Sequence, residues 1–247
     1  MAESDPRSGG QVLVDALEIH GVDTVFCVPG ESYLAALDAL HDAPAIRVIS
    51  CRHEGGAANM AEAYGKLTGR PGILFVTRGP GACNAAIGVH TARQDSTPMV
   101  VFIGQVASDQ EEREAFQELD YRRFYGPLCK WAAQIDRADR IPELVSQAFH
   151  RATSGRRGPV ALALPEDMLR RRVAVADTGP YRPAQAGVSD DSMSRLLEML
   201  AGAERPLMIV GGGGWTAEAC ADIVAFAEAN DLPTGASFRC QDRFDNE

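Results

Sequence analysis

Three times in the first hundred residues a short β-rich run meets a glycine-bearing or charged turn and then a helical stretch, and this repeat constrains the fold more than any other feature. The first unit is a strand over 24–28, the break Pro29-Gly30 and a helix over 32–40. The second is a strand over 46–50, apolar enough to read as buried, and a helix that starts at Glu54. The third is a strand over 72–77, the turn Arg78-Gly79-Pro80-Gly81 and a helix over 82–93. Strands alternating with helices at this spacing need crossover connections, which predicts an α/β fold: a mostly parallel sheet with helices on both faces. A helix over 11–20 with Gly21 as its stop precedes the series. A strand over 98–104 follows it, and further elements are expected at 130–135, 141–153 and 159–164.

Between these, the polar stretch 109–118 reads as a loop of the length that often carries function. A first domain is expected over 1–170 and a linker over 171–190, where Pro, Gly, Ala and Arg crowd without periodicity. The start of a second Rossmann-like α/β domain is expected over 191–247, with helices at 192–200 and 216–229 and strands at 206–210 and 232–236. Its Gly211-Gly212-Gly213-Gly214 run fits a dinucleotide fingerprint only loosely, because a four-glycine string offers some register to almost any such pattern, and a tight turn explains it better.

Composition narrows the function. A net charge of −10 leaves no basic face for nucleic acid, and the Arg170-Arg171-Arg172 cluster reads as a solvated edge. No apolar run approaches the length of a membrane span, and residues 1–10 do not resemble a signal peptide. The six cysteines lie far apart with no C-x-x-C pair, and His20, His41, His90 and His150 lack ligand spacing, so no metal site is indicated. A reducing, cytoplasmic setting fits. Neither a Walker loop nor a nucleophile elbow is present.

In open parallel sheets ligands bind beyond the carboxyl ends of the strands, where Pro29-Gly30, His53-Glu54 and Gly79-Pro80-Gly81 all fall. Glu54 there could serve chemistry or merely cap its own helix. Six ordered segments sharpen the choice: Val28-Pro29-Gly30-Glu31, Arg52-His53-Glu54-Gly55-Gly56-Ala57, Thr77-Arg78-Gly79-Pro80-Gly81, Asp95-Ser96-Thr97-Pro98, Gly104-Gln105-Val106 and Ala115-Phe116-Gln117-Glu118. In order and spacing they resemble the acetolactate synthase branch of the thiamine-diphosphate enzymes, over nearly the whole chain.

The resemblance implies an N-terminal pyrimidine-binding domain followed by the start of the central domain. It implies an enzyme that condenses or decarboxylates 2-oxo acids such as pyruvate through an ylid of thiamine diphosphate, in branched-chain amino acid biosynthesis. Glu54 would be the glutamate bonded to N1′ of the cofactor's aminopyrimidine. Gly30, Ser96 and Gln117 would line the cofactor pocket, with Gln117 also catalytic, and Arg156 matches an arginine that contacts FAD in flavin-bearing members. Phe116 would form a wall of the substrate channel and Lys130 a cation at its mouth. A homodimer or homotetramer with the site between subunits is also implied.

The chain departs from the biosynthetic synthases at Glu31, where they carry glycine, and at Cys83, where they carry threonine. The Gly-Asp-Gly motif for Mg2+ and the diphosphate has no counterpart here, which implies that another segment or a separate chain supplies it. The rival readings are a benzoylformate-type or oxalyl-CoA-type decarboxylase, and a remnant without catalysis that serves as an interaction module.

Overall fold

The computed structural model describes residues 5–244, which divide into two compact units with the boundary between Ala184 and Gln185. The first runs β1 (Arg7–Ser8), α1 (Gly9–Ile19), β2 (Thr24–Cys27), α2 (Leu34–His41), β3 (Arg47–Ser50), α3 (Glu54–Thr68), β4 (Gly72–Val76), α4 (Gly79–Asp95), β5 (Met99–Gln105), α5 (Tyr121–Tyr125), β6 (Trp131–Gln134), α6 (Ile141–Thr153), β7 (Pro159–Pro165), α7 (Glu166–Arg170) and β8 (Arg172–Val173). Six of these strands form one parallel sheet in the order β3-β2-β4-β5-β7-β6. The expected parallel α/β architecture is therefore present.

Strand periodicity builds the two layers. Val25, Ile73, Phe75, Val100, Phe102, Val160 and Leu162 point to one face, where α1, α2 and α6 bury Leu13, Leu17, Leu40, Val145 and Phe149. The alternate residues, Phe26, Leu74, Val101, Ile103 and Ala161, meet α3 and α4. These two helices present Ala57, Ala58, Ala61, Ala82, Ala85 and Ala92, so small side chains let them pack closely on the sheet. Ser8 starts α1 with a complete capping box to Gln11, and Gly21 ends it at φ 77°.

Two expectations need correction. The run at 46–50 is not a buried strand: β3 is an edge paired only to β2, and Arg47, Val48 and Ser50 are exposed. The first part of the expected linker is packed on the first unit. There β8 pairs antiparallel with β1, Arg7 bonds Asp177 at 2.8 Å, and Val173, Val175 and Tyr181 cover the core.

The strap is closed by His20, whose Nδ1 accepts the Tyr181 amide at 3.0 Å while its ring stacks on Phe149. Burial holds the His20 pKa below its ordinary 6.5. The folded state thus keeps a neutral ring while the unfolded chain takes up a proton, so the stability this ring contributes is present above pH 6.5 and is lost as pH falls towards the folded value. Unfolding free energies from urea titrations between pH 7.5 and 5 should fall by at most about 1.4 kcal/mol per pH unit from this group, and His20→Gln should flatten that part of the curve.

The second unit contains α8 (Asp190–Ala201), β9 (Met208–Val210), α9 (Ala217–Ala229) and β10 (Thr234–Ala236), with β9 and β10 parallel. Ser189 and Thr216 cap its helices. Gly212 and Gly214, at φ 77° and 89°, make the turn from β9 towards α9. Among the described residues of this unit only Val210, Ala227 and Cys240 are buried, because two strands and two helices enclose little core.

Candidate functional site

The carboxyl ends of β2, β3, β4 and β5 bring four connections to one edge of the sheet. Glu54 opens α3 there, but it does not cap the helix: His53 does, its Nδ1 accepting the Gly55 amide at 3.0 Å. Glu54 is left free for other partners, and at 9% exposure it is buried. Asn84, one turn into α4, donates from Nδ2 to Glu54 Oε2 at 3.0 Å. The other carboxylate oxygen faces Gly81, where an added Cβ would lie 3.2 Å from Oε1 and 3.0 Å from Thr77 Cγ2. Across from it, an added Cβ at Gly30 would lie 2.5 Å from Thr77 Cβ, so only glycine allows this approach. Thr77 is fixed in turn by a 2.8 Å hydrogen bond between its Oγ1 and Ser32 Oγ.

The loop after β5 completes the edge. Gln105, buried at 3% exposure, spans it by donating to the Leu119 carbonyl and accepting the Val106 amide. Glu118 accepts the amides of Glu112 and Ala115, which folds the segment back on itself. Glu112, Glu114 and Gln117 all sit at positive φ, an unusual density of strain for non-glycine residues. The Gln117 carbonyl accepts the Gly79 amide at 2.9 Å, which docks the loop on the start of α4. Phe116 is 73% exposed, so it does not fill the core. Below the loop Tyr125 donates to the Ala82 carbonyl at 2.6 Å, and burial pushes the Tyr121 hydroxyl far above its ordinary pKa.

Gly30, Glu54 and Gln117 thus share one edge, with Phe116 at its rim. Ser96, Arg156 and Lys130 do not join them. Ser96 caps the far end of α4 at φ 60°, about 25 Å along the helix from Gly79. There it accepts Arg156 Nε at 2.9 Å, while Lys130 donates to the Ser154 carbonyl at 2.7 Å. Burial, with Arg93 and Arg151 nearby, holds the Lys130 pKa low. These three residues form a separate, cation-rich cluster at the amino ends of β5, β6 and β7.

Thr77 and Gln105 lie in matched segments that name no role for them, and Asn84 lies outside those segments; all three support the site. Asn84 was within reach of the sequence only as a polar side chain early in a helix of small residues. The arrangement can do one thing well: hold a carboxylate, fixed on one oxygen and open on the other, beside a shelf of bare backbone where a flat ring can lie. Among the described residues no group of three or more His, Cys, Asp or Glu side chains is placed to hold a metal ion, and no helix is long and apolar enough to cross a membrane.

Two family models match the chain. Residues 7–124 match "Thiamine pyrophosphate enzyme, N-terminal TPP binding domain", and residues 193–247 match "Thiamine pyrophosphate enzyme, central domain". Among curated relatives, the acetolactate synthase large subunit of Haemophilus influenzae is 36% identical over 237 residues, 93% of this chain and 41% of the relative. The Lactococcus lactis large subunit is 36% identical over 92% of this chain and 40% of its own length. The isozyme 3 large subunit of Escherichia coli is 37% identical over 93% of this chain and 41% of its own. The chain spans about two fifths of the length of these relatives.

Proposed function

Since the chain belongs to the thiamine pyrophosphate enzymes, we propose that it builds the pyrimidine side of a thiamine-diphosphate site in an acetolactate-synthase-like enzyme that condenses or decarboxylates 2-oxo acids such as pyruvate. The observation that carries the reading is the buried Glu54 carboxylate, tethered by Asn84 and facing a glycine-lined shelf. The cofactor, when bound, supplies the carbanion that adds to a carbonyl and the electron sink that lets carbon dioxide leave.

What the chain's own residues do follows from their contacts. Asn84 occupies Oε2, which leaves Oε1 to hold a proton with N1′ of the aminopyrimidine. Gly30 and Gly81 keep side chains out of the ring's way, and Thr77, locked by Ser32, forms the floor between them. Gln117 spends its carbonyl on Gly79, so its side chain alone is available to the reacting groups, and exposed Phe116 would wall the substrate channel.

Magnesium and the diphosphate belong, in this proposal, to protein outside these 247 residues, and the site is completed in a homodimer or homotetramer. Arg156, remote from Glu54 and supported by Ser96, offers a cation for the anionic part of an FAD, while Lys130, in the same remote cluster and engaged by the Ser154 carbonyl, is not placed at the mouth of the Glu54 site. All six thiols are free, which supports a reducing, cytoplasmic setting. Residues 171–184 act as a strap of the first domain, and the domain boundary falls at Ala184.

The test is exchange of the C2 proton of thiamine diphosphate, followed by NMR on the complete enzyme. Protein-dependent acceleration supports the proposal, whereas exchange no faster than in free cofactor favours a remnant without catalysis. Asn84→Ala should slow that exchange roughly tenfold or more, the worth of one charge-assisted hydrogen bond. An unchanged rate would mean that Glu54 is oriented by something else.

A further inference from the structure

The two loops that carry Gly30 and Gly79 also carry opposite charges. Arg78 donates from Nη2 to Glu31 Oε1 at 3.1 Å, and the two line a groove of about 430 Å3 with Leu34, Glu166, Leu169 and Arg170. The groove lies at the same sheet edge as Glu54, because Arg78 follows Thr77 directly.

The pair is lopsided. The Arg78 side chain is 11% exposed and that of Glu31 71%. Arg78 Nε is buried and has no hydrogen-bond partner among the described residues. Glu166 adds a second, longer ion pair but no hydrogen bond: its Oε2 stands 3.9 Å from Arg78 Nη2, while its Oε1 accepts from Arg170 at 2.7 Å. A guanidinium pairs best with a carboxylate by donating two parallel N–H bonds, and Glu31 accepts only one. A pair whose acid is mostly in water is weakly held, so Glu31 yields easily to a better-placed anion.

We propose that Arg78 is the carboxylate anchor of the substrate site, and that Glu31 holds its guanidinium as a built-in substitute until the carboxylate of a 2-oxo acid displaces it. The proposal rests on the reading of this edge as a 2-oxo acid site and adds the group that recognises the acid. A glycine in place of Glu31 would leave Arg78 without this hydrogen bond.

The test is a titration of the full chain with pyruvate while arginine Nε–H resonances are followed by NMR, with Arg78 assigned through Arg78→Lys. The Arg78 resonance should move saturably, and Glu31→Gln should tighten binding about fivefold or more by removing the competitor. A stationary Arg78 resonance overturns the proposal, as does an unsaturable drift of many arginines together. Weaker binding in Glu31→Gln overturns it too, since Glu31 would then be part of the binding surface. The outcome is separable from that of the proposed function, because C2 exchange reports on Glu54 and this titration does not.

Discussion

Replacing Glu54 with glutamine in the complete enzyme should slow loss of the cofactor's C2 proton by about 10^2–10^4-fold, the range of a positioned acid–base group. The substitution is nearly isosteric, and the amide oxygen can still accept the Asn84 amide that now bonds Oε2 at 3.0 Å. His53, not Glu54, caps α3, so the helix loses no terminus. The unfolding free energy from urea titration should therefore stay within about 0.5 kcal/mol of the parent, as for a substitution that removes no packing. An amide cannot exchange a proton with a ring nitrogen, so only the chemistry fails. Glu54→Asp makes the complementary case: it keeps the charge but withdraws it by one methylene, and should be nearly as slow if reach matters. C2 exchange at the parental rate in Glu54→Gln would end the assignment, and with it the reading of this edge as a thiamine site.

That Glu54 could be singled out from sequence has a physical cause. It stands where a β-rich run gives way to a helix of glycine and alanine, and the chain order alone places that junction at the ligand-binding edge of a parallel sheet. Gly30 and Gly79 were legible for the same reason. Long elements with clear periodicity are legible in the sequence to within a few residues: α6 coincides with its expected range of 141–153, whereas α4 starts at Gly79 and ends at Asp95 rather than running over 82–93. What escaped depends on which parts of the chain meet across space. Apolar residues in β3 look the same whether one neighbour or two flank the strand. The helices α5 and α7, five residues each, are too short to show a period. The strap beyond Arg171 is held by contacts as distant in sequence as His20 and Tyr181.

Ser96 follows the helix expected over 82–93 and precedes the strand over 98–104, so chain order by itself puts it at the amino edge of the sheet, opposite Glu54. The same limit does apply to Arg156, which only the fold brings to Ser96, at 2.9 Å. Asn84 and Thr77 look ordinary in sequence because their value lies in a single partner 30 and 45 residues away. The Glu31–Arg78 pair is of this kind. Each residue taken alone is a charge on a loop, and only their 3.1 Å contact beside a buried, unpartnered Nε turns two local charges into one device.

Gly72→Ala should cost about 3 kcal/mol or more of folding free energy, the upper end of overpacking, in a domain whose whole stability is of order 5–15 kcal/mol. A Cβ at Gly72 would lie 1.9 Å from the Ala61 carbonyl oxygen and 2.6 Å from its carbon. Those atoms belong to the backbone of α3, so no rotamer change relieves the clash and the helix itself must move. It has little room. The Cβ position of Gly65 lies 2.4 Å from the Pro98 carbonyl oxygen, and that of Gly88 lies 2.5 Å from Ala58 Cβ, so the helix is pressed against the sheet and α4 at three points. Because α3 moves as a rod, displacement at Ala61 also shifts Glu54 two turns earlier and stretches its bond to Asn84. The variant should therefore lose stability and C2 exchange together, unlike Glu54→Gln, which loses exchange alone. Gly56→Ala is the control: nothing lies within 4 Å of its Cβ position, and alanine in a helix should stabilise by up to about 1 kcal/mol. Equal urea midpoints for Gly72→Ala and the parent would show that the helix is not held this tightly, and that the small-residue face of the sheet does not set the position of Glu54.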